Sequence, residues 1–334
     1  MSNTFIGGVR LSSTSTATDV YLDTAAELSI IDRKGHNQVS SKGKPLVYDM
    51  LFTINTTPST IANVDDDNGL IGLSVFTCPD NWQTRNAVRM AHFLRQDLRK
   101  ASGVSKGSIG KYAKHMRFNM DAGMFALPYD RDSSTQEPGD KLSTQRLYSL
   151  SANNVGTIVT PKTYFTGGTW DYSQLTQLDD AATPTADAFY VNICGGHSAS
   201  VPGPYTYVGA LLSYNQRRQT VQDDSTLTPG GDIQFVDNDS PFFRIPETDV
   251  SEDQYVAITL DEQDNPPYDR TAAATGDAML AQLADVIQIT TNNNSPRSFR
   301  VQAPLGLVQF KFGSANYTDQ DLIIKCECLG TYEM

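Results

Sequence analysis

The amino-acid sequence predicts an all-β protein built as two tandem antiparallel sandwiches, and three observations predict it. Short runs rich in β-branched and aromatic residues, with a period of two, recur along the chain. Apolar residues make up 39% and charged residues 19%; much of the balance is Ser, Thr, Asn, Gln and Gly, which form turns and sheet surfaces. A strand–loop–strand unit followed by one helical segment occurs twice in 334 residues, a length that suits two domains of about 150.

Weaker strand candidates open the chain near 5–11, 18–23 and 27–31. In LVYDMLFTINT, residues 46–56, Tyr48, Met50, Phe52 and Ile54 face one way and Val47, Asp49, Thr53 and Asn55 the other. LIGLSVFT, residues 70–77, follows a polar loop. The first helix runs from about 84 to 101, with Ala87, Val88, Ala91, Leu94 and Leu98 at helical spacing. Asp80 or Asn81 would cap its start, and Gly103 would end it. Strand candidates follow near 116–127, 145–151 and 155–161.

The turn formers of TPKTYFTGG, near Lys162 to Gly168, place the boundary. Residues 1–165 form the predicted first sandwich and 166–334 the second. In the second half AFYVNIC sets Phe189, Val191 and Ile193 on one face, and strand candidates follow at 204–214 and 254–260. The second helix is predicted at about 271–286, from Ala274, Ala278, Leu280, Ala281, Leu283 and Ala284. Strands near 286–291, 298–302, 306–312 and 321–329 close the chain. Each half then holds about eight strands, the count of a jelly roll. The repeat is one of element order, not of residues.

Two eight-stranded halves, each with one helix late in its strand order, resemble the double jelly-roll major capsid proteins of tailless icosahedral viruses. These include the coats of bacteriophages with an internal membrane. The resemblance covers the whole chain and rests on architecture. It implies homotrimers with a pseudo-sixfold outline, sandwiches standing upright on the shell, and assembly around a membrane vesicle or a genome. It further implies contacts with neighbouring trimers and with other capsid proteins such as a penton, and a place in the virion after synthesis in the host cytoplasm.

Charge sharpens this picture. The net charge is −12, so the molecule as a whole repels polyanions. Yet Arg85, Arg89, Arg95, Arg99, Lys100, Lys106, Lys111, Lys114 and Arg117 lie within one stretch, with Asp97 its only acid. Such clustering can bind phosphate, in lipid head groups or in a packaged genome, and this segment is expected to face the shell interior or an acidic neighbour. The bland alternative is a solvated helix face that balances acidic patches. Long polar loops at 130–144, 215–231 and 261–276 would supply outward projections and contacts between subunits.

Signs of catalysis are weak. His197 and Ser198 are adjacent, so on a strand they point apart and make no base–nucleophile pair. Gly103 to Lys111 looks glycine-rich but fails phosphate-loop spacing, with Tyr112 where Ser or Thr is needed. Asp65 to Gly69 resembles a calcium loop, but its glycine comes one place late and Ser74 stands where the final Glu belongs, so an acidic turn is the reading. Cys78, Cys194, Cys326 and Cys328 form no CxxC pair and read as buried thiols. Trp82 and Trp170 read as edge-of-core packing. No run of 18 apolar residues is present, and the first residues lack the pattern of a signal peptide. The expectation is therefore a self-assembling coat protein, not an enzyme, with no cofactor or metal. The alternative is a carbohydrate-binding or adhesin-type sandwich such as a phage spike.

Overall fold

The computed structural model describes residues 3–11, 17–32, 34–56, 70–101, 103–105, 107, 115–126, 174–178, 186–198, 205–218, 281–290, 296–313 and 320–334. Strands β1 (Thr4–Leu11) and β2 (Ala17–Asp23) come first, then helix α1 (Thr24–Asp32) and strands β3 (Leu46–Thr56) and β4 (Leu70–Thr77). A long segment follows, carrying α2 (Trp82–Ala101), α3 (Ala122–Ala126), β5 (Gln174–Leu178), β6 (Ala186–Asn192), β7 (Tyr207–Gly209) and α4 (Ala210–Arg218). The chain then returns to strands β8 (Gln282–Thr290), β9 (Arg297–Pro304), β10 (Leu307–Gly313) and β11 (Gln320–Glu333).

Eight of these strands form two four-stranded antiparallel sheets, ordered β1-β11-β3-β9 and β2-β10-β4-β8. Their alternation explains the packing. Tyr48, Met50, Phe52 and Ile54 on β3 are buried, as are Val308, Phe310 and Phe312 on β10 and Leu322, Ile324 and Cys326 on β11. Residues of both sheets belong to one apolar cluster. Phe52 meets Phe310 edge-on across the gap, with ring centroids 5.2 Å apart. The outer face of the first sheet carries polar pairs: Thr53 bonds Ser298 at 2.9 Å, and Arg300 grips the Asp49 carboxylate with Nε and Nη2.

The division at residue 165 does not hold for these strands. β1 pairs with β11, β3 with β9, and β4 with both β8 and β10, so strands from the two ends of the chain interleave in one sandwich. Of the predicted second helix, residues 282–286 lie in β8, and 271–280 fall outside the described residues. Apolar residues on both faces of this edge strand mimic helical spacing. The predicted strand at 27–31 is helix α1, whose first turn Asp23 caps: the Ala26 N–H donates to Asp23 Oδ1 at 3.0 Å. The predicted strand at 204–214 breaks after Gly209 into helix α4, and α3 occupies 122–126 within the predicted strand at 116–127. Candidates at 145–151, 155–161 and 254–260 and the loops at 130–144 and 261–276 lie outside the described residues; of the predicted loop at 215–231, residues 215–218 are the end of helix α4 and the rest lie outside them.

The segment between β4 and β8 builds a second core on the outer face of the second sheet. Ala87, Val88 and Ala91 of α2 pack with Met116, Phe118, Met124, Val191, Ile193 and Leu211, and with Tyr21, Leu305 and Leu307 from the sandwich. β5, β6 and β7 form a small third sheet within this segment. Among the described residues no helix is long and apolar enough to cross a membrane.

A buried polar joint ties the two layers. Gln38 receives the Phe118 N–H at 2.6 Å and donates to Phe118 O at 3.2 Å and to Asp23 Oδ2 at 3.1 Å. Arg117 donates to His36 O at 2.9 Å, and its Nη1 lies 3.8 Å from Asp23 Oδ2. Burial pushes the Asp23 carboxyl above its ordinary range, while the Arg117 charge and the Ala26 N–H pull it back.

Candidate anion-binding face

Helix α2 starts and stops where its sequence dictates. The Thr84 N–H donates to Asn81 Oδ1 at 3.0 Å, the N-cap bond. At the far end Gly103 has φ of 70°, its N–H reaches Lys100 O at 3.1 Å, and the Val104 N–H reaches Arg99 O at 3.1 Å. That is a Schellman cap, and it favours glycine because a side chain rarely accepts this φ.

With one stripe of the helix committed to the second core, the opposite stripe faces solvent. Trp82, Arg85, Arg89, Phe93, Gln96 and Lys100 recur at intervals of three and four and so share that stripe. Arg85, Arg89 and Lys100 are exposed. Phe93 is 49% exposed and Trp82 41%, the latter stacked edge-on against Tyr214 of α4 at 6.2 Å. Lys100 pairs with Asp97 at 3.2 Å, both largely exposed, so the pair is weak.

The stripe runs into a pocket of about 280 Å³, at the small end of the range for ligand pockets. Arg95, Arg99, Lys100, His92 and Gln96 line it from α2, with His115 and Ser41 opposite. The turn carrying Ser41 is closed by Ser40 N–H to Lys44 O at 2.8 Å and Gly43 N–H to Ser40 O at 3.0 Å. Gly43, with φ of 79°, lies flush on the imidazole of His92; a Cβ there would stand 2.7 Å from Cδ2. His92 in turn meets the Gln96 amide at 2.7 Å. Burial and the neighbouring Arg99 charge lower the Arg95 guanidinium to about 10, and burial lowers Arg99. The two guanidinium groups thus stand close together and partly out of water.

Of the nine predicted basic residues, five lie on α2: Arg85, Arg89 and Lys100 on the exposed stripe, and Arg95 and Arg99 beside Lys100 in the pocket wall. Arg117 does not. It is 1% exposed and belongs to the joint with Asp23, so it meets no phosphate. Lys106, Lys111 and Lys114 lie outside the described residues. Sequence reasoning missed Phe93, His92, Gln96, His115 and Ser41. The first three stand at helical spacing from Arg85 and Arg89 and were open to discovery; His115 lies in the same basic stretch past the helix end, and Ser41 comes from a distant turn.

The other candidates do less. His197 Nδ1 accepts the Gly209 N–H at 3.2 Å, and Ser198 Oγ accepts the Thr206 N–H at 2.7 Å, so each serves the backbone. All four cysteines are buried, and burial raises the Cys78, Cys326 and Cys328 thiols. Among the described residues no group of three or more His, Cys, Asp or Glu side chains could hold a metal ion. The acidic turn at 65–69 and Trp170 lie outside them. Comparison with protein-family models, with curated proteins and with solved structures gives no match.

Proposed function

We propose that this chain is a coat protein that assembles with copies of itself into a viral shell, with the eight-stranded sandwich as the wall-forming unit. The observation that carries the reading is the strand order, β1-β11-β3-β9 facing β2-β10-β4-β8. This is the wiring of a jelly roll, two interleaved Greek keys, an architecture that viral capsids share with lectins. Among the described residues the eight strands make one such sandwich, drawn from both halves of the chain.

Edges supply the means of association. β8 ends its sheet and presents Leu283 at 47% and Val286 at 60% exposure, and β1 ends the other with Ile6 at 41%. Edges that carry no further strand among the described residues and bear apolar side chains seek partners. Light scattering and electron microscopy of the purified protein test the proposal. Large closed particles are expected, and the double variant Leu283→Asp/Val286→Asp should block them without altering the circular dichroism spectrum. A monomer at every concentration and salt overturns the proposal, and a monomer that retains glycans favours the carbohydrate-binding alternative.

A further inference from the structure

The exposed stripe of α2 combines two chemistries that a solvated helix face does not need together. Arg85, Arg89 and Lys100 supply positive charge, and Phe93 and Trp82 interleave aromatic rings with them over about 27 Å of helix. At its C-terminal end the pocket of His92, Arg95, Arg99 and Ser41 forms a small concave cation site. We infer that this face binds single-stranded nucleic acid, with the rings stacking on bases, the exposed cations following the backbone, and the pocket holding one phosphate.

Charge complementarity names the occupant. The chain carries −12 overall, but at physiological salt a charge is felt over only about 8 Å, so a polyanion on the stripe meets the local cations first. An acidic protein surface would satisfy the arginines and leave the rings bare. Duplex bases are already stacked on one another and cannot meet a ring on a convex ridge, whereas unpaired bases can. The inference does not rest on the coat reading: a chain that forms shells yet ignores oligonucleotides keeps that reading and loses this one.

The test is fluorescence anisotropy of the full chain with a labelled oligothymidylate of about twenty nucleotides, titrated across a salt series, with duplex DNA and phosphatidylserine vesicles as comparators. The expected wild-type result is salt-dependent binding, tighter for the single strand than for the duplex. Arg85→Gln/Arg89→Gln/Lys100→Gln should reduce the slope of log affinity against log salt by about 2, since each phosphate that a cation neutralises on a single strand adds about 0.7 to it. Phe93→Ala should weaken binding at least about fivefold at every salt and leave that slope unchanged. Both sets of side chains are exposed, so the variants should keep the wild-type unfolding midpoint. Oligonucleotide binding unchanged in both variants overturns the inference. So does tighter binding of the duplex, or vesicle binding that Phe93→Ala abolishes while the oligonucleotide stays unbound.

Discussion

The sandwich core and the inserted core meet at β10, whose alternate side chains enter one or the other. Val308, Phe310 and Phe312 join the interior shared by the two sheets. Leu307 joins the cluster built by the insertion, and Gln309 donates to the Tyr21 hydroxyl at 3.0 Å. The sandwich is held by apolar burial across strands distant in sequence. The inserted layer is held in part by polar groups: the Asp23, Gln38 and Arg117 joint, and the Tyr21 hydroxyl donating to Asp121 Oδ2 at 3.2 Å. The two layers thus divide the labour. The apolar layer fixes the frame, and the polar-jointed layer presents the cationic helix to solvent.

Breaking each layer separately tests that division. Phe310→Ala should cost about 4 kcal/mol, the range for a deleted core aromatic, and lower the urea midpoint for the whole molecule. Arg117→Gln should cost about 3 kcal/mol, because it leaves the Asp23 carboxylate buried without its cation. Both tryptophans lie between β4 and β8. Tryptophan fluorescence in that variant should therefore change at lower urea than the far-ultraviolet signal of the sheets. Coincident transitions would mean that the two layers melt as one, and Asp23→Asn/Arg117→Gln should recover part of the loss.

A gentler probe uses pH. Burial raises the Asp121 carboxyl above its ordinary range, so the native fold holds this proton more tightly than the unfolded chain does. The stability that this group contributes is full below the unfolded value, about pH 3.9, and is lost as pH rises through the folded one. Asp121→Asn keeps the cap on the Met124 N–H and should flatten that decline between pH 4 and 8, read from thermal midpoints. The smallest effect is expected in the turn from β9 to β10. Leu305 has φ of 60° yet buries its side chain in the second core. Leu305→Gly should relieve about 1 kcal/mol of backbone strain and lose about 2 kcal/mol of burial, a net loss of about 1 kcal/mol by urea unfolding.

Much of the frame was legible because period-two alternation is strong where one face is buried, as on β3, β10 and β11. Helix α2 was legible down to its Asn81 cap and Gly103 stop. Which strands pair was not, because alternation states that a strand has an inside and says nothing of its neighbour. β8 misled because an edge strand tolerates Leu283, Ala284 and Val286 on exposed positions, which erases alternation. Charge alone could not separate Arg117 from Arg89: one is buried against Asp23 and the other faces solvent, a difference made by residues some ninety positions upstream. The basic stripe could be read from helical spacing, but the Ser41 wall of its pocket could not.

Thr77, the last residue of β4, sits opposite Gln282, the first of β8. Residues 78–281 thus leave and re-enter the frame through a gateway one ladder rung wide, about 5 Å across. Whatever is spliced there need only bring its two ends together, a demand that grows slowly with length. The roll can therefore exchange its passenger lobe, or shrink to a plain hairpin at that corner, without re-registering a single strand.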